Sequence, residues 1–207
     1  PLSAARQMNE PFHKLHFAGT ASYYEQIKAG VKYLAAEKGH TKVCAMYLPS
    51  DFGKEIQSGA VDVAKETDGL EFVAETTHKG DDADFVGSLT KLKEEGCQLI
   101  TMALGVRQAI TAYGTARKIG WADVDFINSS AGFHSVMAKV PGGVTNGMYA
   151  AAGWSDLLAR MGNPEVAEFS KKYVAVSGEK FPGTGALLGY SAAVSLTKAL
   201  EATGKDL

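Results

Sequence analysis

The sequence is poor in the features that announce a specialised architecture. With two cysteines in 207 residues it has no disulfide scaffold, and neither Cys44 nor Cys97 sits in a CxxC pair or a Cys/His cluster of metal-binding spacing. Both fall within apolar, strand-like runs, and both are expected to be buried, unpaired thiols. A basic excess is missing as well: 21 Lys and Arg against 23 Asp and Glu leave a net charge of −2, which offers nothing to neutralise a phosphate backbone. Nucleic acid is not an expected partner. The longest uncharged stretches, Val140 to Ser155 and Phe181 to Thr197, fall short of the roughly 20 apolar residues of a spanning helix and carry several Gly and polar residues. The first twenty residues hold no apolar run of signal-peptide type and residue 1 is Pro, so the start of the gene product is expected upstream.

What is present is an ordinary globular composition, 45% hydrophobic and 21% charged, of a length suited to one domain or to one domain with part of a second. Helix-period and strand-period segments alternate. Thr20-Ala21-Ser22 offers a helix cap, Ile27, Val31 and Leu34 mark one helical face, and Gly39 ends that helix. Strands are expected at 42–48, 70–77, 97–103 and 124–128. Helices are expected between them at 51–67, with Ile56, Ala60 and Val63 inward, at 84–95, with Phe85, Leu89 and Leu92 inward, and at 107–119. The strand starts lie 28, 27 and 27 residues apart, a spacing that suits βα units of a parallel sheet with right-handed crossovers and helices on both faces.

After Asn128 the regularity stops. A short helical piece near 134–140, a Pro141-Gly142-Gly143 turn and an uncharged segment at 146–153 precede two helices with no strand between them. The first begins at Pro164 behind an Asn163 cap, with Val166, Phe169 and Tyr173 inward. The second runs from Thr184 to Thr203, with Leu188, Ala192, Leu196 and Ala199 inward and Gly204 as its stop. Two such helices imply a second structural body.

No Walker loop, HExxH or GxSxG occurs, and Gly183-Thr184-Gly185 with Gly189 misses the dinucleotide spacing. Asp81, Asp82 and Asp84 lack the Gly and Glu of a calcium loop, and Asp84 reads as a helix cap. The five His, at 13, 16, 40, 78 and 134, form no pair at ligand spacing on a shared helix face. No catalytic residue, metal site or cofactor is therefore assigned. An α/β enzyme would need a nucleophile with its base, or paired acids, and neither constellation is present.

In an open parallel sheet, ligands bind beyond the carboxyl ends of the strands. Those ends are Pro49 to Phe52, Leu104 to Arg107 and Asn128 to Gly132, any of which can equally be an ordinary turn. Arg107 stands out because a cation in the first turn of a helix opposes its dipole. It either contacts a ligand or pairs with a nearby carboxylate. Phe52 can serve as a ring platform or staple its own helix. Asn128, Ser129 and Ser130 suit polar recognition or a turn.

At these residues the chain resembles the branched-chain amino acid type of solute-binding protein, the type I periplasmic receptors of ABC importers. The matching pieces are FAGTAS (17–22), VCAMYLPSDFGKE (43–55), DFVGSLTKLK (84–93), ARKIGW (116–121) and GYSAAVSLTKALEATG (189–204). The resemblance implies a Venus flytrap of two lobes and an internal piece of a larger receptor. Residues 1–16 would be an incoming inter-lobe segment, 17–145 the ligand-binding second lobe, and 146–207 a crossover with two helices of the first lobe. It further implies a non-enzymatic, monomeric periplasmic protein that closes over a small molecule and delivers it to a membrane permease. A ligand-sensing domain of a regulator or chemoreceptor is the alternative. The family's ligand-contacting positions fall on Phe52, on Gly105, Val106 and Arg107, and on Asn128, Ser129 and Ser130. Where amino-acid binders hold the ligand's ammonium with a carboxylate, this chain has Ser130, and Arg107 is added. Both departures favour a small organic acid, aromatic or otherwise, or an uncharged compound over an α-amino acid, with an amino-acid-like compound as the other ligand the resemblance allows.

Overall fold

Ser22 and Gly39 set the limits of the first helix. The Ser22 hydroxyl accepts the Glu25 N–H at 3.2 Å, and Gly39 closes the other end at φ 70°, so α1 runs Tyr23–Lys38. The computed structural model describes residues 4–8 and 10–204. From α1 the chain alternates through β1 (Lys42–Tyr47), α2 (Asp51–Lys65), β2 (Glu71–Thr77), α3 (Val86–Glu94), β3 (Leu99–Ala103), α4 (Val106–Lys118) and β4 (Asp125–Asn128). Every expected strand forms within two residues of its predicted limits. α3 begins at Val86 with Phe85 and not Asp84 as its N-cap; the Asp84 carboxylate accepts the Val86 N–H at 2.9 Å from the residue before that cap.

The strands form one parallel sheet in the order β2-β1-β3-β4-β5. Val43 pairs with Leu99 on one side of β1, and Leu99 pairs with Asp125 on the far side of β3. Period-two alternation sends β1 side chains to two separate cores. Val43 and Ala45 join Ile27, Val31, Ile56 and Val63 under α1 and α2. Cys44 and Met46 join Phe85, Leu89, Leu92, Tyr113 and Phe126 under α3 and α4. Burial on both faces explains why β1 and β3 read as continuous apolar runs.

The sequence reading departs from the structure in three places. β5 (Tyr149–Ala150) adds a fifth parallel strand, with Asn128 opposite Ala150, in a segment read as irregular; two residues are too few to carry an alternation signal. Cys44 and Cys97 are not free thiols but a disulfide, with Cα atoms 5.9 Å apart. Cys97 lies in the turn before β3 and not on the strand itself, and its side chain enters the same core as Cys44. Their separation lies within the span a bridge tolerates.

The third departure lies at the end of the chain. After the short α5 (Ser135–Ala138), helices α6 (Pro164–Ser177) and α7 (Thr184–Thr203) form where expected, with the Asn163 side chain capping Glu165. The stripe of Leu188, Ala192, Leu196 and Ala199 is nonetheless not inward. No residue of α7 is buried, and Leu196 is 62% exposed. Its packing partner is α6, through Phe169 with its ring 4.6 Å from Tyr190. Amphipathic spacing predicts the helix; it does not supply a surface to cover it.

Candidate functional site

The carboxyl ends of β1, β3 and β4 and the N-terminus of α1 meet along one edge of the sheet. Gln26, buried in the first turn of α1, donates to Ala21 O at 2.7 Å and accepts the Ser130 N–H at 2.9 Å. One side chain thus fixes the approach to α1 against the loop after β4. Asn128 and Ser129 lie beneath that loop, both buried. Ser129 accepts the Ala131 N–H at 3.3 Å in a turn, and Asn128 O accepts from Ala151 at 2.8 Å. Gly132 packs so closely on Asn128 that any Cβ there would collide with it, which sets where Phe133 and His134 emerge.

Above this edge is a cavity of about 600 Å³, walled by Thr20, Tyr23, Ser130, Phe133, His134 and Trp154 on one side and by α7 from Thr184 to Ala199 on the other. Gly153 abuts the Thr20 hydroxyl, so a side chain at that position would displace it. The contact holds the Trp154 segment against the entrance of α1. Within this wall the Thr20 hydroxyl and the Trp154 indole N–H are shielded from solvent and have no hydrogen-bond partner. Among the residues lining the cavity there is no Asp, Glu, Lys or Arg.

Of the positions singled out from sequence, Ser130 lines this cavity, while Asn128 and Ser129 support it from below. Phe52 stands behind it, its ring 4.9 Å from Tyr23 in an edge-to-face contact. Gly105, Val106 and Arg107 stand apart at the start of α4. The Gly105 N–H donates to Gln108 Oε1 at 3.3 Å, and Gln108 Nε2 donates to Lys79 O at 2.7 Å and Asp82 O at 3.2 Å, clamping the β2–α3 loop to α4. Val106 packs on the α3–α4 core. Arg107 is exposed, and no ion pair reaches its guanidinium among the described residues.

Sequence reasoning missed Thr20, Tyr23, Gln26 and Trp154. Thr20 lay in a stretch read only as a cap, and Tyr23 and Gln26 on a helix read only for its apolar face. Trp154 carried a usable signal, being one of two tryptophans in the chain and set in a Gly-rich uncharged segment. Nearby, burial pushes the His78 imidazole below its ordinary pKa, an effect opposed by Asp82, and its Nε2 lies 2.9 Å from the Thr76 hydroxyl. This His belongs to the β2–α3 loop and not to the cavity.

A family model described as periplasmic binding protein matches residues 2–207. No curated protein sequence matches. Among solved structures, a substrate-binding periplasmic protein from Ralstonia solanacearum superposes with a TM-score of 0.77 at 20% identity, covering 99% of this chain and 57% of its own. A leucine binding protein from Thermotoga maritima gives a TM-score of 0.73 at 16% identity, covering 89% and 51%. A solute binding protein of an ABC transporter from Rhodopseudomonas palustris, in complex with 3,4-dihydroxy benzoic acid, gives 0.67 at 18% identity, covering 89% and 50%. The chain spans about half the length of the solved structures it resembles, and at these identities the likeness is one of fold. The match over nearly the whole sequence settles the affiliation: the chain belongs to the periplasmic binding protein family.

Proposed function

We propose that this chain is the ligand-gripping part of a periplasmic solute receptor that serves an ABC importer and carries out no catalysis. Its ligand is a small organic acid or an uncharged compound, and not an α-amino acid. One observation carries this reading: the cavity wall offers the Thr20 hydroxyl and the Trp154 N–H without partners and contains no carboxylate. An ammonium buried there would have no counter-charge, which is costly. A carboxylate or carbonyl oxygen would find donors waiting for it. Residues 17–145 act as the binding lobe, with α6 and α7 contributing the facing wall. Ser130 contacts the ligand, Phe52 holds Tyr23 in place, and Asn128 and Ser129 support the loop. Gly105, Val106 and Arg107 form the outer rim, where the unpaired guanidinium draws an anion toward the edge by long-range attraction. A disulfide agrees with an oxidising compartment such as the periplasm, and no helix among the described residues is long and apolar enough to cross a membrane. The related binders of leucine and of 3,4-dihydroxy benzoic acid represent the two ligand classes to be separated.

The test is calorimetry of the chain against leucine, hexanoate and benzoate, with and without Thr20→Val. The substitution keeps the shape of Thr20 and removes its hydroxyl. Hexanoate binding is expected to weaken by about 1.5–3 kcal/mol, the worth of a hydrogen bond to a charged group. Folding stability should hold or rise, since an unpartnered buried hydroxyl is lost. Tight binding of leucine that ignores the substitution would overturn the reading.

A further inference from the structure

Beside the large cavity lies a second, smaller one of about 270 Å³, between the loop after β4, the β5 segment and the first turn of α7. The two share Phe133, His134, Trp154 and Thr184 as a common wall. The Thr184 hydroxyl donates to Phe133 O at 3.2 Å and ties α7 to that wall. On its other sides the smaller cavity is lined by Met137, Met148, Phe181 and Leu187 among others. Four aromatic side chains, those of Phe133, Tyr149, Trp154 and Phe181, and two thioethers therefore surround one space. Aromatic edges and faces and methionine sulfur favour a flat ring over an aliphatic chain. The volume suffices, since an apolar cavity of about 150 Å³ already takes up benzene.

The common wall also carries the polar chemistry. The Trp154 N–H is shielded from solvent and unpartnered. His134 Nδ1 accepts the Val136 N–H at 3.1 Å, which leaves the ring proton on Nε2 as a second donor. The four shared residues include no acid; Asp156 lines the smaller cavity outside that wall, and its Oδ1 accepts the Leu158 N–H at 3.0 Å.

We propose that the smaller cavity is a binding site for a single aromatic ring whose acid group sits at the Phe133–His134–Trp154–Thr184 wall, so that the ligand is a monocyclic aryl acid. The assignment rests on the receptor reading above and narrows its ligand class. Trp154 and His134 are then the groups that meet the carboxylate, and Met137, Met148 and Phe181 select the ring.

Two substitutions fill this cavity without touching the larger one: Ala138→Phe and Leu187→Phe, both at lining positions of the smaller cavity alone. Binding of benzoate and hexanoate to the full chain is measured by calorimetry, with circular dichroism to confirm folding. Benzoate affinity is expected to fall about tenfold or more in either folded variant, a loss of about 1.4 kcal/mol, while hexanoate affinity stays within about threefold, under 1 kcal/mol. Unchanged benzoate binding in both variants, or an equal fall for both ligands, overturns the ring site and leaves the receptor standing. Hexanoate bound without benzoate by the unsubstituted chain does the same. No binding of either ligand overturns both proposals.

Discussion

Helices α4 and α7 make an instructive pair. α4 buries Gln108, Ala109, Ala112, Tyr113 and Ala116 against the sheet, whereas α7, longer and richer in apolar residues, buries none. Both are bounded where their sequence signals place them. Helix formation at the level of caps and 3.6-residue spacing is therefore local, and burial is not. In α4 the partner surface is β3 and β4, a few residues away in sequence. In α7 the apolar stripe faces the large cavity, so the same pattern that predicts a core position marks a wall here. The largest test of this contrast is on the dense side. Phe126 is fully buried, with Tyr113 edge-on at 5.3 Å. Phe126→Ala is expected to cost about 3–5 kcal/mol in urea unfolding, through lost transfer energy and a residual cavity. A cost under 1 kcal/mol would show that the two halves are not so different in packing.

The four βα units were legible because each carries a redundant signal. Val43 to Tyr47 is apolar throughout, Ser22 supplies a cap, and Ile27, Val31 and Leu34 keep helical spacing, so any one of these could be misread without losing the element. The sheet edge was legible for the same reason, since strand ends follow from strands. The cavity was not. Thr20, Tyr23, Ser130 and Trp154 come from separate stretches of the chain, and their convergence depends on Gln26 reaching Ser130 and on Gly132 and Gly153 packing closely. Such contacts leave no periodic trace. Arg107 illustrates the converse case: a residue conspicuous in sequence because it opposes its helix dipole stands exposed at the start of α4 and not in the cavity wall.

The disulfide sharpens the contrast on the same dense side. It closes 53 residues of chain between β1 and the turn before β3, and both cysteines are buried. It was missed because strand periodicity says which face a side chain takes only inside the strand, and Cys97 precedes β3. Cys97→Ala, paired with Cys44→Ala to avoid a stray thiol, is expected to lower stability by about 2–4 kcal/mol. A reductant added to the unsubstituted chain should shift the urea midpoint the same way. Two free thiols in the unfolded, unreduced protein would show that the bridge does not form.

The smallest expected effect belongs to α7. Leu196 is 62% exposed and Leu200 43% exposed, so Leu196→Ser removes little buried area from this chain. The change should alter stability by no more than about 0.5 kcal/mol, as for other surface substitutions. Serine is a slightly poorer helix former than leucine, which sets the sign toward a small loss. The measurement is the urea midpoint at constant slope, because a changed slope would mean that the exposed area itself had altered. Against Phe126→Ala, the ratio of the two costs is the quantity that decides whether amphipathic spacing or actual contact governs stability here. A loss at Leu196 of 2 kcal/mol or more, the usual range for truncating a buried leucine, about 2–5 kcal/mol, would mean that α7 is covered in solution, and the difference between the two helices would disappear.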